Sequence, residues 1–398
     1  MNKLFKNVLD KLANFTPTDF PFISLYLNTQ ANQHGRDDFA SFVRKEFSEK
    51  AKEFNEDSAK LKSFENVRKR INEFLNENVR PSANGIGIFA STGADNFFKV
   101  IQFDAPINKH SMHVTNRPHL YPLARIIDQN PRHIALVADT SEARLFVFDP
   151  GVTKSIQLIK NSDASAQPNR ESSKLQNQQW VENRRLLHAK NIVSRLEMVA
   201  KNEEIDHIIL AGDDVIIPLL VSQMPQDLAD KLVENIRLDI RTPEHEVLKA
   251  TTKALFDHNI QTDAENVTEL FDKYRAGRLA VAGLDDTLDA LLKGQVDELL
   301  LSASLKSISS KPEEILKVPS ISGVRDTFVA VDGHNSSANI ADRLVSQALL
   351  TNASINFIED PLLLSEIGGV GALLRYKDSG LDESTVGQNM KAEFSYNR

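Results

Sequence analysis

Between Asn169 and Lys201 the chain collects residues suited to chemistry on an anionic polymer. Seven are basic (Arg170, Lys174, Arg184, Arg185, Lys190, Arg195 and Lys201), against Glu171, Glu182 and Glu197. The excess is local, because the whole chain carries a formal charge of −8. A basic stretch on an acidic body suits phosphate contact, and it equally suits a solvated helix face crossed by ion pairs. Gln176, Gln178, Gln179 and Trp180 stand at the head of this stretch. A carboxamide both donates and accepts, so it can orient a water, and an indole can stack on a base or seat against a sheet.

Other chemistries find less support. The ten histidines form no HExxH, and His110 and His113, three apart, have few carboxylates nearby, so no metal is expected. His133 and His207 each open a buried strand, where a hydrogen-bonded structural role is expected. Asp139, Asp149, Asp213 and Asp214 are the only carboxylates that a metal-assisted nuclease or hydrolase would have to use. Asp213 and Asp214 also suit a helix cap. Gly368-Gly-Val-Gly371 precedes a terminal strand, so it reads as a tight turn with positive φ and not as a dinucleotide fingerprint. There is no Walker motif and no GxSxG elbow, and with no cysteine there is no thiolate chemistry. No cofactor is expected.

The elements that must position these residues read as α/β throughout. At 398 residues, with 41% hydrophobic and 26% charged side chains, two or three domains are expected. No apolar run reaches membrane-spanning length and the N-terminus shows no secretion signal, so the expected location is cytoplasmic, with neither membrane nor DNA as partner. An N-terminal α/β domain is assigned to residues 1–128, with a charge-rich helical stretch over Phe39–Val79 that breaks near Asn55–Ser58. A middle domain over 129–262 begins with strands His133–Asp139 and Ala143–Asp149. It continues through a third strand, Ser155–Lys160, into a polar loop over 161–179, then a long helix and the buried strand His207–Gly212. Helices are expected over Pro225–Val233 and Pro243–His258, with a strand at Asn235–Ile240. A C-terminal α/β domain over 263–377 restarts with helix Ala264–Arg275, and strand Phe328–Val331 lies within it. Residues 378–398 hold few apolar side chains and read as a disordered tail.

Several of these pieces, in this order, resemble the archaeo-eukaryotic class-1 peptide chain release factor superfamily, and more closely its bacterial branches. Ala135-Leu-Val-Ala-Asp-Thr-Ser-Glu-Ala-Arg-Leu-Phe146 is similar to the opening hairpin of that family's middle domain, and His207-Ile-Ile-Leu-Ala-Gly212 to a later strand. Leu291-Leu-Lys-Gly-Gln-Val-Asp-Glu-Leu-Leu-Leu301 and Gly368-Gly-Val-Gly-Ala-Leu-Leu-Arg-Tyr376 are similar to the start and close of the third domain. The resemblance covers residues 80–376. It implies three domains: the middle one an RNase-H-like mixed sheet, the third an α/β/α sandwich like kink-turn-binding ribosomal proteins. It implies the ribosome and tRNA as partners, a further protein partner through the third domain, and a role in translation rescue or stress. The family's catalytic loop carries Gly-Gly-Gln, which helps hydrolyse peptidyl-tRNA. The matching segment here, Ser162–Trp180, has no glycine. Gln178 and Gln179 are the candidates for the glutamine's role. Arg170, Lys174, Trp180, Arg184, Arg185, His188 and Lys190 are the candidate RNA contacts. A Pelota-like relative, which engages ribosomes without Gly-Gly-Gln, is a precedent for binding without hydrolysis. The alternative is a non-catalytic regulatory or interaction protein that reuses the scaffold.

Overall fold

The computed structural model describes residues 3–30, 39–54, 57–93, 96–105, 107–149, 155–160, 174–308 and 336–377. Three sheets organise them, and the α/β class expected from the sequence is borne out. The expected strand Phe328–Val331, most of the polar loop and the C-terminal tail lie outside the described residues.

Helix α1 (Lys3–Ala13) precedes strand β1 (Phe22–Asn28); helices α2 (Phe39–Ala51) and α3 (Ser58–Glu77) follow. Strands β2 (Gly85–Ala90), β3 (Phe98–Phe103) and β4 (Ser111–Thr115) complete an antiparallel sheet of order β3-β2-β1-β4. Its two faces differ. One is covered by α2 and α3 through Val43, Phe47, Phe64, Val67 and Ile71. The other carries Phe22, Tyr26, Phe89 and Phe103, and there α1 brings Phe5, Leu9 and Leu12.

Helix α4 (Tyr121–Gln129) leads into β5 (His133–Ala138), β6 (Glu142–Phe148), β7 (Ser155–Lys160), the 29-residue α5 (Lys174–Asn202) and β8 (His207–Gly212). Short helices α6 (Ile216–Gln223) and α7 (Gln226–Ala229) and strand β9 (Leu232–Ile236) close the unit. The sheet order is β7-β6-β5-β8-β9; β5, β8 and β9 pair in parallel, and β6 pairs antiparallel with β5 on one side and β7 on the other. Between Pro225 and Ile240 the sequence reading needs correction: the helix stops at Ala229, and the strand runs Leu232–Ile236 instead of Asn235–Ile240. Pairing with Ile208–Ala211 sets that register.

Helix α8 (Glu244–Arg275) is one helix of 32 residues, where two were expected. The polar stretch around Asp263 does not break it: no Gly or Pro lies there, and the buried Asp263 carboxylate is satisfied by the Glu359 backbone N–H, which Oδ2 accepts at 3.1 Å. The helix packs Val247, Ala254 and Leu255 on the middle sheet, and Val267 and Leu270 on the third. Strand β10 (Ala280–Ala282), α9 (Leu284–Leu292), β11 (Val296–Ser302), α10 (Ser336–Leu350), β12 (Ser354–Ile358) and β13 (Val370–Leu374) form that third unit, with sheet order β10-β13-β11-β12. Gly368 and Gly369 take φ of 68° and 81° before β13, the tight turn expected there.

A single apolar cluster joins α1, the inner face of the first sheet, α4, α9 and α10. The first and third units thus share a core, while the middle unit has its own, built on α5 and α6. Connector α4 is tied to the third unit: Tyr121 Oη donates to Ser302 O at 2.7 Å, and Arg125 pairs with Glu359 at 2.9 Å.

Candidate nucleic-acid interface

Helix α5 carries most of the candidate residues, and its two halves differ. The C-terminal half buries Ala189, Ile192, Val193, Leu196, Val199 and Ala200, an i, i+3, i+4 stripe against the middle sheet. Each buried Val, Leu or Ile contributes roughly 1.5–3 kcal/mol, so this half anchors the helix. Between Gln178 and Leu187 no residue is buried. The switch falls at His188, which is 2% exposed and hydrogen-bonds the backbone of Asp139. Asp139 lies just past β5, whose last residue Ala138 pairs with Gly212 at the end of β8. Strand β8 spans about 20 Å, the length of about 13 helical residues, which again brings α5 level with the strand ends near residue 189. Lys174–Leu187, about 21 Å of helix, therefore extend past the C-terminal edge of the sheet.

On this projection Gln178 and Gln179 are exposed. Trp180 is half-buried, and the Arg184 guanidinium lies 4.5 Å from its ring centroid, an i, i+4 cation–π pair that presents an indole and a cation together. Arg185 is half-buried and Lys190 exposed. Arg170 lies outside the described residues. Lys174 begins the helix, and its side chain, like that of Gln176, also lies outside them.

Two expectations change. Residues 174–179, expected in the loop, are the first turns of α5; Lys, Leu and Gln are good helix formers, and no Gly or Pro interrupts the chain from 174 to 202. His188 does not face outward with the arginines. Burial holds its pKa below the ordinary value and keeps it neutral, and its Nε2 has no hydrogen-bond partner among the described residues. It acts as a pin between α5 and the β5 end, not as a phosphate contact. The sequence reading did not single out the tie between Arg195 Nε and Gln157 Oε1 (2.8 Å), which fixes α5 to edge strand β7. No local motif marks such a cross-element pair.

Of the carboxylates that a metal-dependent hydrolase would need, Asp139 and Asp213 follow the paired strand ends Ala138 and Gly212, but each is engaged by backbone donors. Asp139 Oδ1 accepts from the N–H groups of Ser141 and Glu142, and Asp213 Oδ1 caps α6 through the N–H groups of Val215 and Ile216. Asp214 pairs with Arg237 in solvent, and Asp149 lies at the opposite sheet edge, paired with Arg132 at 3.4 Å. Among the described residues no three acidic or histidine side chains are placed to hold a metal ion. His133 Nε2 lies 3.0 Å from Thr251 Oγ1, the structural role expected of it, and burial lowers its pKa to about 4. His110 Nδ1 accepts from Asn28 N–H at 3.1 Å. Among the described residues no helix is long and apolar enough to cross a membrane.

Residues 118–256 match the family model of bacterial archaeo-eukaryotic release factor family 10. The match spans α4, the whole middle sheet and the start of α8, and it bears out the release-factor-like resemblance read from the sequence. Similar solved structures include an archaeal translation termination factor, aRF1 (14% identity, TM-score 0.27, covering 94% of this chain and 98% of that one). A ribosome-bound archaeal Pelota, in an assembly with ABCE1, has 15% identity and a TM-score of 0.40, covering 94% of each chain. Dom34 of S. cerevisiae, a translation termination-like factor, has 13% identity and a TM-score of 0.39, covering 79% of this chain and 94% of that one. At such identities and scores the likeness is a loose one of fold alone.

Proposed function

We propose that this protein is a ribosome-associated, release-factor-like factor that acts in translation rescue or stress, docking the projecting half of α5 on RNA. The observation that carries this reading is the projection itself. A helix that leaves its sheet for about 21 Å and bears Trp180, Arg184, Arg185 and, at its base, Lys190 suits contact with phosphates and an unstacked base. The family match over the same unit supports it. The third unit, whose sheet is not needed for that contact, is available to recruit a protein partner.

Peptidyl-tRNA hydrolysis would fall to Gln178 and Gln179. Within a helix their backbone N–H groups are bonded to carbonyls four residues back, so only their exposed side chains are free to orient a water. The glycine-free sequence and the helical setting of both glutamines favour a second reading, binding without chemistry, in which the scaffold serves a regulatory role. Sedimentation of the full chain with ribosomes stalled on peptidyl-tRNA, scored for co-migration and release, separates these. Release that vanishes on replacing both glutamines by Ala, with binding kept, assigns them the catalytic role. Binding without release leaves the recognition role, and absence of binding at low salt refutes the ribosomal reading.

A further inference from the structure

The middle sheet ends on β7, and among the described residues nothing pairs with the outer side of that strand. A sheet edge exposes N–H and C=O groups that can take a further strand, and folded proteins blunt it with charge, proline or a bulge. At the opposite edge β9 is blunted in this way: it carries Glu234 and meets β8 through a register shift. Strand β7 is not. From Ser155 to Ile159 it has no charged residue and no proline, and it pairs with β6 in unbroken register.

A groove of about 470 Å³ runs between this edge and α5, lined by Gln157, Leu158, Ile159, Asn191 and Arg195. Ile159 packs on the α5 cluster and Gln157 Oε1 accepts from Arg195 Nε at 2.8 Å, so both side chains face the helix. By alternation Leu158 faces the other side, where it is 53% exposed. Along α5, Leu187, Asn191, Arg195 and Met198 fall at i, i+4, i+8 and i+11, on one helical face. All four are exposed, although Leu187 and Met198 are large apolar side chains. Helical residues four apart rise about 6 Å, and alternate residues of a strand lie about 6.7 Å apart. A strand laid against β7 therefore brings every second side chain to one of these four in turn.

The same face sets the chemistry of the occupant. The Arg195 side chain bonds Gln157 and the Met198 sulfur, and no carboxylate among the described residues pairs with it. We infer that β7 is a docking edge for an extended peptide, which joins the sheet as a sixth strand with apolar side chains on Leu187 and Met198 and a carboxylate beside Arg195. Backbone pairing supplies the affinity, and the alternating side chains supply the selection. This inference is independent of RNA docking, because Trp180, Arg184 and Arg185 lie on the projecting half of α5 whereas Asn191 and Arg195 lie alongside β7.

The test uses the full chain and a capped, fluorescein-labelled peptide, Leu-Thr-Ser-Val-Glu-Thr-Leu, read by fluorescence anisotropy. Antiparallel to β7, this peptide sets its Glu beside Arg195, its leucines by Leu187 and Met198, and its Val beside Leu158. Binding should saturate, and amides within Ser155–Lys160 should exchange more slowly when the peptide is present. Lys in place of the peptide's Glu should weaken binding at least tenfold, and methylation of alternate peptide amides should abolish it. Arg195→Glu should reverse the charge preference, binding the Lys peptide at least tenfold more tightly than the Glu peptide, which an unfolded variant would not do. No saturable binding, full binding by the N-methylated peptide, unchanged exchange in β7, or an unchanged charge preference in Arg195→Glu would each overturn the inference. Displacement of the peptide by an oligouridylate would give the groove to RNA, and a dimer of the free chain that protects the β7 amides would give the edge to a second copy; either result overturns it as well.

Discussion

Asp342 on α10 is the point where the third unit holds the connector helix, and its removal has a calculable consequence. One carboxylate oxygen accepts the backbone N–H groups of Leu120 and Tyr121, at 2.8 and 2.9 Å. The other meets His119 Nδ1 at 2.5 Å. Leu120, the N-cap of α4, offers no side-chain acceptor of its own, so Asp342 caps that helix from another element. His119 is 3% exposed, so water cannot replace the lost partner. In Asp342→Ala, loss of the cap costs about 1 kcal/mol. Leaving a buried ring nitrogen without its charged partner adds about 2 kcal/mol, for a total near 3. Asp342→Asn keeps an amide oxygen for the two N–H groups, and its loss is expected at about half that value. Because several units are present, a single unfolding free energy is not assured, so the assay is hydrogen exchange read at the Leu120 and Tyr121 amides alongside the urea midpoint. Both amides should lose protection in the Ala variant. Unchanged protection together with an unchanged midpoint would show that the three hydrogen bonds carry no net stability, and the reasoning would fail.

Gly212→Ala should destabilise by about 3 kcal/mol or more, since a Cβ there would lie 2.2 Å from Ala138 O, a backbone atom inside the sheet; urea denaturation reads this, and a variant of normal stability would contradict the close approach. Glu204→Gly should raise stability by about 1 kcal/mol by relieving the left-handed backbone, seen as a higher melting temperature. If α5 contacts RNA phosphates, the combined change of Arg184, Arg185 and Lys190 to Ala should flatten the dependence of log K on log salt by about 2, near 0.7 per lost contact, in tRNA or ribosome binding; an unaltered slope would remove these residues from the interface. Asp128 takes up its proton near pH 7 in the folded chain, well above its unfolded value of 3.8, so the folded state binds more protons between them. Its contribution to stability therefore rises as pH falls from 7 towards 4, and Asp128→Asn should reduce, though not abolish, that rise in melting temperature against pH, because burial also raises Asp263 to about 6.

What the sequence shows depends on how local the determinant is. Strands β5, β6 and β8 are legible because continuous apolar runs of β-branched and aromatic residues end at turn formers, and burial on both faces requires such runs. The unbroken α8 is not legible. Its polar stretch around Asp263 resembles a helix end until the Glu359 N–H, 96 positions away, is seen to satisfy the carboxylate. His188 illustrates the same limit: in a basic run it reads as a surface residue, yet helical phase turns it inward to Asp139 while Arg184 and Arg185 stay partly exposed. Charge counts do not record phase.

The start of α5 carries the functional argument furthest. A glycine-bearing loop can bring backbone donors close to RNA because glycine tolerates positive φ and adds no side chain. A helix does the reverse: beyond its first turn the backbone donors are consumed internally, and the outward groups are side chains. From Lys174 onward this chain is helical, so it has the second arrangement there. If α5 contacts RNA, Trp180 and Arg184 would meet it as a pair, because the i, i+4 spacing that joins them exists only in the helix. Any water-orienting role for the backbone does not survive without unwinding those turns. The same residues cannot serve as open loop and as helical platform at once, and the packing of Ala189, Ile192 and Val193 below them favours the platform.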